Sequence, residues 1–536
     1  MPKFLQHVAI TAVLLALSGM TPRSATSQGQ PTVQQKQDPA AQSENPAGYV
    51  PSTIKVTARI VVLDVVVTDK KGNLVHRDDL KPEDFQIYED KIPQTIRSFE
   101  PPSQHRMPVS ATAVVNSAAD LKKIGDAPVT LLVLDELNSR FEDMSFSRQM
   151  MLKYLQSQPA VLKEPTVLLV TSNTTFQQMH DYTQDRDALI NAVKKHMPEF
   201  PWRMEGSHNS GPGAVERMGQ NLAALRQIAQ ATTGTPGRKN LIWVGNGFPS
   251  ANLVGLPQDE ADTIETAIRQ CTDRLLAARI TMYTINPTAD QVASVEADTP
   301  DDLNSAGNEA GADPFGEGAV SFSNFAPATG GIAYTGRNDL NNIIGEGIDK
   351  GQEYYTMSYA PTNKRDDSLK FRNIRILMKD RNLRATTREG YYPASAADMN
   401  AVLDKDMSAK QVRANLQLDL SAALTTTISY NGLELKGQKT SKDQYTIHAE
   451  EKGIGWSDPG PNGEQHAEAT VAAAWYNAKG KLIGHVAHEE TFTRGKPNEG
   501  ATFTLAVPLP ADAVRLRFVV RDALNGNMGT FDVTKF

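Results

Sequence analysis

The chain has 536 residues, enough for two to four domains with sizeable cores. With 40% hydrophobic and 22% charged residues it has the composition of an ordinary soluble globular protein. A formal net charge of −7, and no basic stripe carrying interleaved aromatics, argue against nucleic acid or an anionic membrane as general partners.

Lys3 precedes an apolar run from Val8 to Leu17, and Ala25-Thr-Ser27 offers a small-residue cleavage site before Gln28. This is the pattern of a secretory signal peptide over residues 1–27, and the run is well short of the ~20 residues a membrane span needs. The expected destination is the periplasm, the cell envelope or the exterior, with no transmembrane segment after cleavage. Residues 28–50, rich in Gln, Pro, Ser and Ala, read as a disordered linker.

From residue 51 to 105 the pattern is β. Ile60-Val-Val-Leu-Asp-Val-Val-Val67 is largely β-branched, Lys70-Lys-Gly-Asn73 supplies a turn, and Phe85 and Ile87 alternate. These strands are too few to bury both faces alone. Over residues 128–350 apolar runs alternate with amphipathic helices. The runs are Val129–Leu134, Thr166–Thr171, Leu241–Val244 and Ile280–Ile285, with a shorter edge-like strand at Phe176–Tyr182 and Asp185 as an N-cap. Such alternation implies a parallel, doubly wound α/β sheet. The only cysteine, Cys271, shares a helical core stripe with Ile264, Ile268 and Leu275, so it reads as a buried thiol.

Residues 351–393 return to β and are expected to pair with 51–105, making a β-sandwich split by the inserted α/β domain. Residues 394–410 look helical. From Ala414 strands are expected to alternate with turns, giving a C-terminal Ig-like β-sandwich over 411–536. Its clearest strand places Val514, Leu516, Phe518 and Val520 on one face and Arg515, Arg517 and Arg521 on the other.

Several blocks resemble the VWFA-related acidobacterial domain family, exported proteins built on a von Willebrand factor A-type core. They are Val65-Val-Val-Thr-Asp-Lys-Lys-Gly-Asn73, Leu80-Lys-Pro-Glu-Asp-Phe-Gln-Ile-Tyr-Glu-Asp90, the Val129–Asp135 run, Gly237-Arg-Lys-Asn-Leu-Ile-Trp-Val244, the stretch from Tyr355 to Pro361 and Arg388-Glu-Gly-Tyr-Tyr-Pro393. The match covers about residues 54–393. The resemblance implies an α/β doubly wound von Willebrand A-type domain and an envelope location, and members of the wider group mostly bind proteins, often through a divalent cation.

In the metal-binding members, Mg²⁺ is held by an Asp-x-Ser-x-Ser motif, a Thr from a later loop and an Asp after the fourth strand. Asp135 and Ser139 match the first and third motif positions, but Leu137 has no oxygen to offer. After the fourth strand Gly245-Asn246-Gly247 stands where Thr-Asp-Gly is usual, so the charge that would neutralise a dication is lost. Ser207, Asn209 and Ser210 are the small polar residues of the later loop, and none can be assigned. The metal candidates are therefore Asp135, Ser139 and Asn246, and a degenerate, metal-free face is the favoured reading. Asp135, Asn138, Ser139 and Asn246 are the candidate ligand-binding residues at the strand ends, where open α/β sheets take their ligands.

Other constellations are weaker. His485-Val-Ala-His488-Glu489 lies in a β-patterned stretch where i and i+3 point to opposite faces. The acidic run from Asp298 through Glu317 has no EF-hand spacing, and Gly206–Gly213 lacks the Lys-Ser/Thr of a phosphate loop. The expected function is a non-enzymatic protein-binding or adhesion module. The alternatives are a metal-dependent adhesin with a residual Mg²⁺ site and an envelope hydrolase using Asp135 as acid or base.

Overall fold

The first apolar run forms β1 (Val61–Asp69), which turns Leu63, Val65 and Val67 inward. Asp69 closes its turn by accepting the backbone N–H groups of Lys71 and Asn73. β2 (Phe85–Glu89) and β3 (Ile92–Gln94) form a tight hairpin in which Asp90 and Lys91 both adopt positive φ, and β4 (Ile96–Glu100) follows. A computed structural model describes residues 60–108, 114–172, 176–198, 212–248, 250–253, 257–287, 314–315, 319–362, 371–392, 409–460, 462–496 and 499–534. The expected signal peptide, the linker, and residues Ser207, Asn209 and Ser210 lie outside the described residues, as does most of the acidic run.

The middle of the chain begins with β5 (Val129–Asp135), buried at every position, then α1 (Phe141–Ser157), β6 (Val161–Thr171) and β7 (Phe176–Asp185). Asp185 caps α2 (Arg186–Lys195) by accepting the N–H groups of Asp187 and Ala188. Next come α3 (Pro212–Thr232), β8 (Lys239–Val244), β9 (Ala251–Asn252), α4 (Gln258–Ala277), β10 (Ile280–Ile285), β11 (Ala319–Val320), α5 (Phe325–Thr329), β12 (Ala333–Tyr334) and α6 (Leu340–Gln352). Six of these strands form one sheet in the order β12-β10-β8-β5-β6-β7. Leu132, Leu134, Ile242 and Val244 face α1, α2 and α6, while Leu131, Val133, Leu241 and Trp243 face α3 and α4.

β13 (Tyr355–Tyr359), β14 (Arg372–Met378), β15 (Leu383–Thr386) and β16 (Gly390–Tyr391) return to the first strands. The two antiparallel sheets run β15-β1-β13-β4 and β16-β14-β2-β3 and share one core around Leu63, Val65, Phe85, Ile87 and Met357. Tyr359 and Tyr391 both donate to buried Glu89, which fastens the sheets together. The last part opens with α7 (Ala409–Thr425). It continues as β17 (Leu435–Ser441), β18 (Gln444–Ala449), β19 (Gln465–Tyr476), β20 (Leu482–Arg494), β21 (Ala501–Ala506), β22 (Arg515–Asp522) and β23 (Met528–Val533). Its sheets are β17-β18-β21 and β20-β19-β22-β23, all antiparallel.

This architecture corrects the expected one. The chain is not a doubly wound parallel sheet of von Willebrand A type set beside β-sandwiches; most of its sheets are small and antiparallel, and the six-stranded sheet is mixed. β7 runs antiparallel to β6 because only residues 172–175 join them, too few for the helical crossover a parallel pair requires. The C-terminal part departs from the expectation as well. Leu416-Gln-Leu-Asp-Leu420 alternates like a strand, yet it lies in α7, where Leu420, Ala423 and Leu424 are buried at helical spacing and Leu418 is 53% exposed. The helix expected at 394–410 falls largely outside the described residues. β22 does not have a polar outer face either: Arg517 is fully buried, donating to the carbonyl of Ile428 and to Asp532 at 3.2 Å, and Val514 is exposed.

One buried carboxylate joins the last part to the middle. Asp419 of α7 lies 3.4 Å from Arg226 of α3 and 3.1 Å from Arg521 of β22, and Arg274 of α4 also faces it. Removing the charge leaves part-buried guanidinium groups without their shared counter-ion, which costs about 1–3 kcal/mol. We expect Asp419→Asn to lower the unfolding free energy by about that amount, read as a shift in urea midpoint at unchanged slope.

Candidate functional site

The parallel strands β5, β6, β8 and β10 all end on one side of the six-stranded sheet. β5 ends in Asp135, whose carboxylate is fully buried. Oδ1 accepts the Leu137 N–H at 3.0 Å and the Thr171 hydroxyl at 2.6 Å. Oδ2 accepts the Gly247 N–H at 2.8 Å and the Trp243 indole N–H at 3.2 Å. Burial raises the Asp135 carboxyl above its ordinary value, and the four hydrogen bonds pull the other way. The glycines of Gly245-Asn246-Gly247 are there for packing. At φ +146° a Cβ on Gly245 would sit 2.4 Å from the Asp135 Cβ, and at φ +63° one on Gly247 would sit 2.1 Å from the Phe322 ring.

The other candidate residues are close by. Ser139 donates its hydroxyl to the Asp135 carbonyl at 2.9 Å, and Asn246 donates its amide to the Asn138 carbonyl at 3.4 Å. Mg²⁺ needs a near-octahedral set of oxygens. Here the Asp135 oxygens, the only charged ones of the set, are occupied by four donors, and buried Leu137 fills the middle position with no oxygen. Asp135, Ser139 and Asn246 therefore do not fit a divalent cation in this arrangement. Among the described residues no group of three or more His, Cys, Asp or Glu side chains is placed to hold one.

The structure adds a pair that the sequence did not single out. Glu136 is buried and holds His196, at the end of α2, through an Oε1–Nε2 contact of 2.8 Å. Among the described residues its Oε2 has no hydrogen-bond partner, nor does either side-chain polar atom of buried Asn138. Phe141, two residues after Ser139, is 59% exposed, and Met197, next to His196, is 80% exposed. Sixty positions separate Glu136 from His196, so the adjacent acids Asp135-Glu136 after an apolar run were the only local signal.

His485 and His488 are not brought together: both lie on β20, paired with Ala474 and Val471, and His488 turns to Glu490 at 2.8 Å. Cys271 is buried, and burial pushes its thiol up to about 12, well away from a reactive thiolate.

A second polar cluster lies at the opposite, amino ends of the same strands. Thr130 and Asn240 are register partners on β5 and β8, and Glu164 of β6 lies beside them with Gln352 of α6. Burial raises the Glu164 carboxyl to about 7; Gln352, Thr130 and Asn240 offset part of that. Among the described residues neither Glu164 oxygen completes a well-formed hydrogen bond. Lys239 nearby donates to the carbonyls of Thr235 and Gly237, and burial lowers its ammonium to about 7.

No protein-family model matches the sequence, and no curated protein matches it. Solved structures with local similarity include two from unrelated sources. Proximal thread matrix protein 1 from the mussel byssus is 12% identical, with a TM-score of 0.19, over 30% of this chain and 38% of that one. The β-glucuronidase of Bacteroides uniformis is 11% identical, with a TM-score of 0.12, over 33% of this chain and 18% of that one. The chain thus spans well under two thirds of either, and superpositions this loose bear on neither fold nor function.

Glu164 sets a pH dependence. The folded chain holds this proton more tightly than the unfolded chain, whose Glu titrates near 4.5. The stability it contributes is complete below that value and is lost as pH rises to about 7, a fall of about 3 kcal/mol. Lys239 acts above that window, restoring stability as pH rises from about 7 toward 10.5. Urea titrations across this range should show Glu164→Gln losing the Glu164 share of this change, so that the variant gains on the wild type as pH rises from about 4.5 to about 7, while the alkaline rise persists in both.

Proposed function

We propose that this chain is a non-enzymatic binding module, exported to the cell envelope, that grips a protein partner with the face at the carboxyl ends of β5, β6 and β8. The observation that carries this reading is the exposure of two large apolar side chains, Phe141 at the start of α1 and Met197 next to His196, on the segments that leave β5 and α2, which the buried Glu136–His196 contact joins. Large aromatic and Met side chains are enriched at protein interfaces, where a few such anchors carry most of the binding energy. The acid at the strand end has a structural occupation: Asp135 is buried and engaged by four donors, which supports a scaffolding role over a general acid or base. Among the described residues no helix is long and apolar enough to cross a membrane.

The test is affinity capture from an envelope extract with the immobilised full chain. A discrete partner should be retained by the wild type. It should fall at least about tenfold with the double variant Phe141→Ser, Met197→Ser, the loss expected from removing ~1.4 kcal/mol or more of anchor contact. Both side chains are exposed, so the melting temperature should not move. Equal capture by wild type and variant, or background capture alone, would sink the proposal.

A further inference from the structure

The connector between β4 and β5 opens with a 3-10 turn, Pro102–His105, that buries the His105 ring. The ring stacks on Tyr354, with centroids 4.5 Å apart and planes 10° from parallel. Among the described residues neither ring nitrogen has a hydrogen-bond partner; the nearest carboxylate, Glu100 Oε2, is 3.7 Å from Nε2, too far for one. Every charged group facing the ring comes from a different element. Glu100 ends β4, Asp64 sits on β1, Arg279 lies in the turn before β10, and Asp126 precedes β5. Arg238, before β8, lies 5.2 Å from the Tyr354 centroid. Asp64 is already committed: Arg279 donates to it at 2.6 Å and Thr356 at 3.1 Å.

We propose that His105 is an acid-operated latch: protonating its ring releases the Pro102–His105 turn from Tyr354 and frees the start of the connector. As an imidazolium the ring carries two N–H donors, and inside the junction neither finds an acceptor within hydrogen-bond distance. Arg279 and Arg238 stand there as fixed cations. Swinging outward hydrates both N–H groups and brings them to Glu100, which is already part-exposed. As a neutral ring, His105 loses little by staying, because stacking on Tyr354 needs no hydrogen bond.

The sign follows from burial. Burial holds the imidazole below its ordinary 6.5, outweighing the pull of Asp64, Glu100 and Asp126, and Arg279 acts with burial. A base whose affinity for protons falls on folding contributes stability that is present above its unfolded value. That stability is lost as pH drops through the folded one. The latch is therefore closed at neutral pH and opens in acid.

Hydroxyl-radical footprinting of the full chain at about pH 7.5 and about pH 5 tests this. Labelling of Met107 and Tyr354 should rise roughly threefold at the lower pH as the local opening is populated. His105→Phe keeps a stacked ring that cannot titrate, so its labelling should stay low at both values. Should that variant fail to fold, Glu100→Gln keeps the idea exposed: removing the attracting carboxylate should move the opening midpoint to lower pH. Unchanged wild-type labelling, an identical rise in a folded His105→Phe chain, or an unmoved midpoint in Glu100→Gln would each overturn the latch.

Discussion

The candidate site rests on one carboxylate held by four donors from three strand ends. Asp135 gathers the Leu137 and Gly247 amides, the Thr171 hydroxyl and the Trp243 indole, and so ties the exits of β5, β6 and β8 into one rigid turn system. A buried carboxylate is costly without such partners and worthwhile only when its lone pairs are filled. Here they are filled by the protein itself. This makes the strand-end face stiff and takes from Asp135 the freedom a metal ligand or general base requires. What remains exposed near these strand ends is apolar, Phe141 at the start of α1 and Met197 after α2, while Glu136 holds His196.

The two ends of the same sheet are managed differently. At the carboxyl ends the central acid is fully bonded. At the amino ends Glu164, Thr130 and Asn240 are crowded together with incomplete partnering. An unpaired buried polar group costs about 1–3 kcal/mol, so this cluster is a reservoir of pH-sensitive instability. The charges next to it are better matched. Arg279 grips Asp64 of β1 and Thr356 of β13, bridging a small antiparallel sheet to the six-stranded one, while Arg238 donates to Asn240 and Tyr283 within the latter.

How much of this was legible in the sequence depends on how far each interaction reaches along the chain. The strands β5, β6, β8 and β10 could be read because they are short apolar runs buried on both faces, and Asp185 because capping is local. The position of Asp135 at a strand end could be read; its state could not, because that depends on Trp243 and Gly247, more than a hundred residues on. The Glu136–His196 contact was hidden for the same reason. The antiparallel turn between β6 and β7 was visible in the short polar break Ser172-Asn-Thr-Thr175, which the α/β alternation around it outweighed. The strand-like Leu416–Leu420 failed more simply: a period of two over five residues is also what a helix with one exposed leucine displays.

The C-terminal part looks, in sequence, like a detachable β unit, and its packing argues otherwise. β19 is buried on both faces. Ala469, Val471 and Ala473 turn to a core of their own with Ile447 and Phe518, whereas Ala472, Ala474 and Tyr476 join Leu420, Leu424 and Ile428. That second group is continuous with the α3 and α4 side of the six-stranded sheet, through Leu225, Ile228 and Leu275. Asp419, hydrogen-bonded by Arg521 and ion-paired with Arg226, adds a buried charge contact across the same boundary. Cutting the chain before α7 would therefore remove part of the apolar cluster packed with Leu225, Ile228 and Leu275 and leave Arg226 and Arg274 without Asp419. Loss of binding after such a cut would report unfolding rather than a missing spacer. Surface substitutions at Phe141 and Met197, which leave this shared core intact, are the changes that separate recognition from stability.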